Sequence, residues 1–239
     1  MKISFIGDSY CAGVGNEPFE SYPFIVADYF NAEIICSGLA ADTLFHSYQT
    51  FLEKVEESDY IIFCVSDFNR TPNRYRVPTV NGRIPSDMEE LPLGASKKLR
   101  ECWNKVYGDN DIFDELLISM DTYSKTMDSE FHKIAQKGIL REIDLLIKKL
   151  NKKCIFFKSF DDSFGGYVPE NLVWCDKSLH SIKLKGEIGI SKKDLSDVKN
   201  FPKINHLFES DNKKVSKLII DIIKSDNFTP REIKMEKYL

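Results

Sequence analysis

Residues 3–10 read ISFIGDSY, a short apolar run that passes directly into a glycine, an acid and a serine. The apolar residues up to Ile6 are typical of a buried strand in a parallel sheet. Gly7 permits a tight turn, which places Ser9 just beyond the carboxyl end of that strand. Ligands bind at that edge of open α/β sheets, so Ser9 is a candidate nucleophile. Asp8 and Ser9 are also common turn residues, and either could instead cap the next helix.

Further buried strands are predicted along the chain, separated by segments with helical periodicity. The strands fall at 32–36, 59–66, 153–160 and 172–175, and the helices at 22–30, 44–54, 97–106, 111–123, 129–150 and 210–224. This order predicts one α/β domain over residues 1–239, with a central parallel sheet and right-handed crossovers. An irregular excursion with extra helices is expected at about 71–130, and a loop-rich, solvated stretch at 176–203.

Composition excludes several classes of partner. The 33 basic and 37 acidic residues are mixed along the chain and give a formal charge of -4, so nucleic acid is not expected as a partner. No apolar run is long enough for a signal-peptide core or a membrane span, so we expect a cytoplasmic protein that does not bind membranes. Six cysteines lack metal-like spacing and are interpreted as buried free thiols, and neither a metal nor a cofactor is expected.

The order of the polar turns resembles the SGNH (GDSL-type) esterases and lipases. These have a Gly-Asp-Ser after the first strand, a loop of small residues after the second, a polar turn after the third and a histidine before the last helix. In that family the serine attacks an ester carbonyl and the histidine takes its proton. The resemblance therefore implies a three-layer α/β/α fold close to flavodoxin in topology. It also implies that Ser9 is the nucleophile and His206 the base. Of the four histidines, only His206 combines a turn position with an apolar anchor and a following helix, although His46 could also approach the site.

The resemblance also implies an oxyanion hole. Its donors would be the amide of Ser9, the amide of Ala41 at the place of a family glycine, and the side chain of Asn69. Gly38 is the alternative donor in the second loop, where a helix cap is the structural interpretation. Asn69 stands one position late in the family register. Asp8 and Arg70 are candidate substrate contacts, because an arginine can bind an anionic group.

One position departs from the family pattern in a way that bears on catalysis. Lys203 stands where the family has an aspartate that orients the histidine, and lysine cannot accept the ring N–H. Three outcomes are open: a Ser9–His206 dyad oriented by a backbone carbonyl, an acid such as Asp197, or a site without turnover. The predicted function is a serine esterase acting on a small or carbohydrate-linked O-acyl ester. The alternatives are an SGNH-like binding or structural protein and a flavodoxin-like phosphate binder.

Overall fold

Six parallel strands form one sheet in the computed structural model, in the order β2-β1-β3-β4-β5-β6. The structure describes residues 1–13, 20–39, 42–68, 70, 72–74, 112–126, 128–160, 164–183, 207 and 209–238. The strands are β1 (Lys2–Ile6), β2 (Glu33–Cys36), β3 (Tyr60–Val65), β4 (Lys153–Lys158), β5 (Val173–Ser178) and β6 (Arg231–Ile233). Five of them follow the order 2-1-3-4-5 that defines flavodoxin-like sheets. The predicted fold class is confirmed.

Helices cover both faces of the sheet. In the described ranges they are α1 (Tyr22–Phe30), α2 (Leu44–Lys54), α3 (Ile112–Thr126), α4 (Ser129–Lys149), α5 (Leu179–Lys183) and α6 (Glu209–Ser225). Helices α1 and α6 pack together over one apolar cluster, and α2 and α4 pack over another on the opposite face. None of these helices is both long and apolar enough to cross a bilayer. The strands bury side chains toward both layers, which explains their nearly continuous apolar runs.

The direction in which successive strands are added to the sheet reverses at β1, because β2 lies on one side of it and β3 on the other. Such a reversal opens a crevice at the carboxyl ends of the strands, where ligands bind in doubly wound folds. The turn that carries Ser9 follows β1 and therefore lies at this switch point.

Two expectations about elements are wrong. The helical periodicity of 129–150 places Phe131 and Ile134 on the apolar face of α4 and predicts that they are buried, but they are 68% and 65% exposed. His132 and Gln136 take the inward positions instead, because this end of the helix meets a loop carbonyl, that of Phe68, which a polar group can satisfy.

The stretch after Asp176 is also more regular than expected in the part that the structure describes. Strand β5 continues to Ser178, and the short helix α5 follows it directly. The two elements are short and mix polar with apolar residues, so hydrophobic periodicity does not reveal them. The remainder of the predicted 176–203 loop, like most of the predicted 71–130 excursion, lies outside the described residues.

Candidate functional site

The turn after β1 is held by Asp8. Its carbonyl accepts the Cys11 amide at 3.0 Å, and its carboxylate oxygen Oδ1 accepts the Tyr10 amide at 3.1 Å. Within the described part of the chain, neither the amide nor the hydroxyl of Ser9 has a hydrogen-bond partner. The turn thus satisfies the polar groups around Ser9. It leaves the Ser9 amide and hydroxyl, the two groups that an acyl-transfer nucleophile uses, without a hydrogen-bond partner in the described part of the chain.

Two glycines allow the loops at this edge to approach each other. Gly7 has a φ of 142°, and a Cβ there would lie 2.4 Å from the Cys64 carbonyl oxygen. A Cβ on Gly38 would lie 2.6 Å from both the Asp8 carbonyl oxygen and the Cys11 Cβ. The Gly38 amide donates to the Cys11 carbonyl at 3.4 Å, so this amide already has an internal partner. The loop after β2 is therefore packed directly against the Ser9 turn.

A buried arginine connects three of the loops. Asp8 is fully buried and accepts the Ser159 hydroxyl at 3.0 Å, and its other oxygen lies 3.4 Å from Nη1 of Arg70. The same guanidinium nitrogen donates to the Asp42 carbonyl at 2.8 Å and to the Ser66 hydroxyl oxygen at 2.9 Å. The turn after β1, the loop after β2 and the turn after β3 thus share one cation. We call these five residues the arginine clamp.

Burial dominates the electrostatics of the clamp. It raises the pKa of Asp8 above its ordinary value, and Arg70 and the hydrogen bonds from Tyr10 and Ser159 oppose that rise. Arg70 is only 5% exposed, and its guanidinium carbon lies 5.0 Å from the centre of the Phe160 ring. The sequence predicts Asp8 and Arg70 as substrate contacts. Since both face internal partners, this geometry favours a positioning role.

The loop after β2 passes into α2 through a conventional cap. The Thr43 hydroxyl accepts the His46 amide at 3.2 Å, as the structural interpretation of this loop predicts. The Asp42 carboxylate accepts the Ser47 hydroxyl and the Thr43 amide, and it lies 3.4 Å from Nδ1 of His46. His46 thus approaches the edge of the clamp and pairs with a clamp residue.

Each described histidine has a partner other than Ser9. His46 pairs with Asp42, His132 contacts the Phe68 carbonyl, and Nδ1 of His180 lies 3.4 Å from the Tyr10 hydroxyl. His206 is the remaining histidine of the sequence. The predicted site residues outside the described ranges are His206, Ala41, Asn69, Lys203 and Asp197.

Sequence reasoning missed three polar residues of this edge. Ser66 and Ser159 belong to the clamp, and His180 lies beside the residue that follows Ser9. The available signal was positional: both serines lie at the carboxyl ends of predicted buried strands, and in the structure Ser66 directly follows β3 and Ser159 directly follows β4. Parallel strands bring such residues to one edge.

A depression of about 200 Å³, open to solvent, lies at the carboxyl ends of β3 and β4. Its lining consists of Val65, Ser66, Phe68, Lys158, Phe164 and Gly165. Ser66 belongs both to this lining and to the clamp.

No match was found when the chain was compared with models of protein families and with curated proteins.

Proposed function

We propose that this protein is a serine ester hydrolase of the SGNH type, with Ser9 as nucleophile and His206 as base. The observation that carries the proposal is the position of Ser9 at the switch point of a flavodoxin-like sheet, in a turn whose other groups are satisfied by Asp8. The partners of the three described histidines favour His206 as the base, because none of those three contacts the Ser9 hydroxyl.

The reaction would proceed in two acyl transfers. The Ser9 oxygen forms a bond to the ester carbonyl carbon while its proton passes to His206, and the resulting oxyanion is stabilised by backbone donors. When the tetrahedral intermediate breaks down, the alcohol leaves and takes the proton from His206. An acyl group remains on Ser9. Water then attacks that acyl group by the same route and releases the carboxylic acid.

The oxyanion donors in this proposal are the amide of Ser9, the amide of Ala41 and the side chain of Asn69. The Ser9 amide is supported by its lack of an acceptor among the described residues. Gly38 is disfavoured, since its amide donates to the Cys11 carbonyl. The substrate in this proposal is the small or carbohydrate-linked O-acyl ester that the sequence predicts.

The second candidate is an SGNH-like binding protein without efficient catalysis. Two observations favour it: Ser9 is only 7% exposed, and Lys203 occupies the position of the expected acid. The two candidates differ in turnover, so the test is hydrolysis of p-nitrophenyl acetate by the purified protein.

The hydrolase predicts measurable turnover that Ser9→Ala reduces to background. His206→Asn should lower kcat by about 100-fold or more, the usual contribution of a general base. Ser58→Ala is the matched control. Ser58 is also buried, but it precedes β3 and lies at the amino ends of the strands, away from Ser9. Full activity in the Ser9→Ala variant would exclude Ser9, and a folded wild-type protein without turnover would favour the binding protein.

A further inference from the structure

Asn212 joins the last helix to two other parts of the chain. It lies in the first turn of α6 and is 2% exposed. Its Nδ2 donates to the Leu207 carbonyl at 3.3 Å, and its Oδ1 accepts the Tyr22 amide at 2.9 Å. Leu207 is covalently bonded to His206, and Tyr22 begins α1. One buried carboxamide therefore bridges the segment of the proposed base and the start of the first helix.

Leu207 belongs to the core on the same side as the Ser9 turn. It is 4% exposed and lies in the apolar cluster that contains Tyr10 and Cys11, the two residues after Ser9. A fully buried leucine fixes its backbone more firmly than an exposed one, because it is held by close packing on all sides. The residue that follows His206 is thus anchored in the core that supports the nucleophile turn.

Tyr22 extends the bridge to that turn. Its hydroxyl lies 3.2 Å from Sγ of Cys11 and 3.1 Å from Sγ of Cys64, and burial raises the pKa of the phenol. The tyrosine therefore stays neutral and keeps its hydrogen as a donor. A continuous series of contacts runs from Leu207 through Asn212 and Tyr22 to Cys11.

We propose that Asn212 is a positioning residue for His206, which fixes the segment of the base relative to the nucleophile turn; this inference rests on the proposed function. The bridge requires a side chain that donates and accepts at once, and a carboxamide does both. A carboxylate of the same shape could still accept the Tyr22 amide, but it would set an oxygen against the Leu207 carbonyl. Asn212→Asp therefore breaks one arm of the bridge with little change in volume.

In Asn212→Asp, kcat for p-nitrophenyl acetate should fall by about 10–100-fold, because displacing a catalytic group by about 1 Å can cost on the order of 100-fold. KM should change less than twofold, because Asn212 makes no contact that binds substrate. The control is Asn171→Ala, which removes a carboxamide donor to Asp144 just before β5, at the opposite edge of the sheet. That control should retain the wild-type kcat. An unchanged kcat in folded Asn212→Asp would overturn the inference.

A second measurement does not depend on catalysis. The chain has four histidines, so a spectrum of protein labelled with ¹³C at histidine Cε1 alone has four signals, and His206→Asn identifies that of His206. Asn212→Asp should shift this signal and leave those of His46 and His132 in place. A His206 signal that does not move would overturn the inference. Failure of the proposed hydrolase function has a different result: the folded wild-type protein shows no turnover.

Discussion

Arg70 and Asp8 bring opposite charges together in a site where both side chains are buried. Removing two charges from water is costly, and their attraction compensates only when the remaining hydrogen-bonding groups are also satisfied. The clamp meets this condition, because Ser159 and the Tyr10 amide donate to Asp8, while Arg70 donates to the Asp42 carbonyl and to Ser66. The clamp thus ties together the loops that would form the oxyanion hole.

Arg70→Met should lower the free energy of unfolding by about 3–5 kcal/mol at neutral pH, since it leaves a buried carboxylate unpaired. The folded-state pKa of Asp8 already lies above its ordinary value of about 3.9. Between these two pKa values the folded protein binds more protons than the unfolded chain, so the contribution of Asp8 to stability falls as pH rises. Loss of Arg70 raises the folded-state pKa of Asp8 further, because Arg70 lowers it, and so extends this pH range upward. Urea denaturation should therefore show the difference between wild type and variant narrowing as pH falls from 7.5 to 5.

The double variant Asp8→Asn with Arg70→Met provides the control. It removes both charges, so the pH-dependent part of the difference should disappear while the loss of hydrogen bonds remains. Equal stability of wild type and Arg70→Met at pH 7.5 would contradict the clamp.

At the scale of elements, close approach of the β1 turn and the β2 loop depends on Gly38. Gly38→Ala would place a methyl group 2.6 Å from the Asp8 carbonyl oxygen, and a backbone group cannot yield as a flexible side chain does. We expect a loss of about 1–3 kcal/mol in the free energy of unfolding, as for overpacked sites. Esterase activity should also fall, because the β2 loop shifts relative to Ser9.

Gly138→Ala is the matched control for this substitution. Gly138 lies inside α4, and a Cβ there would meet nothing within 4 Å. Alanine is favoured over glycine in a helix interior by about 1 kcal/mol, so this variant should be more stable than wild type. Thermal unfolding of both variants tests the pair. A Gly38→Ala variant as stable as Gly138→Ala would contradict the close packing of the two loops.

The central elements were predictable because their signals are local. Strands β1 and β3 are predominantly apolar runs, and α2 begins after Thr43, whose hydroxyl caps it. Helix α1 begins after Ser21, which occupies the N-cap position without a side-chain cap hydrogen bond. Strand β6 was missed because three residues of mixed polarity carry no periodicity.

In the candidate site, too, local features could be predicted from the sequence and long-range contacts could not. The turn with Ser9 could be recognised because the strand, Gly7 and the serine are adjacent in sequence. The clamp could not, because Ser159 reaches Asp8 across 151 positions and Arg70 reaches it across 62. Only the strand order decides which distant turns meet, and hydrophobic patterns do not encode the partners of individual polar groups.

At the scale of the whole molecule, the two apolar layers enclose most of the thiols. Cys11, Cys64, Cys154 and Cys175 are buried and free, and Cys36 is half-buried. Burial raises the pKa of Cys64, Cys154 and Cys175, which further reduces the reactive thiolate. In 8 M urea all six thiols of the sequence should react with Ellman's reagent, because unfolding exposes them to solvent. In the native protein the four buried thiols should stay protected, and their rapid reaction would contradict the packing of the core.

The central claim is that Ser9 is a nucleophile activated by a histidine, and the most direct test is covalent labelling by a fluorophosphonate followed by mass spectrometry of the intact protein and its peptides. We predict a single adduct on Ser9, none in Ser9→Ala, and labelling slower by about 100-fold or more in His206→Asn. An adduct on another residue, or a folded wild-type protein that stays unlabelled while a known serine esterase reacts completely, would contradict the claim.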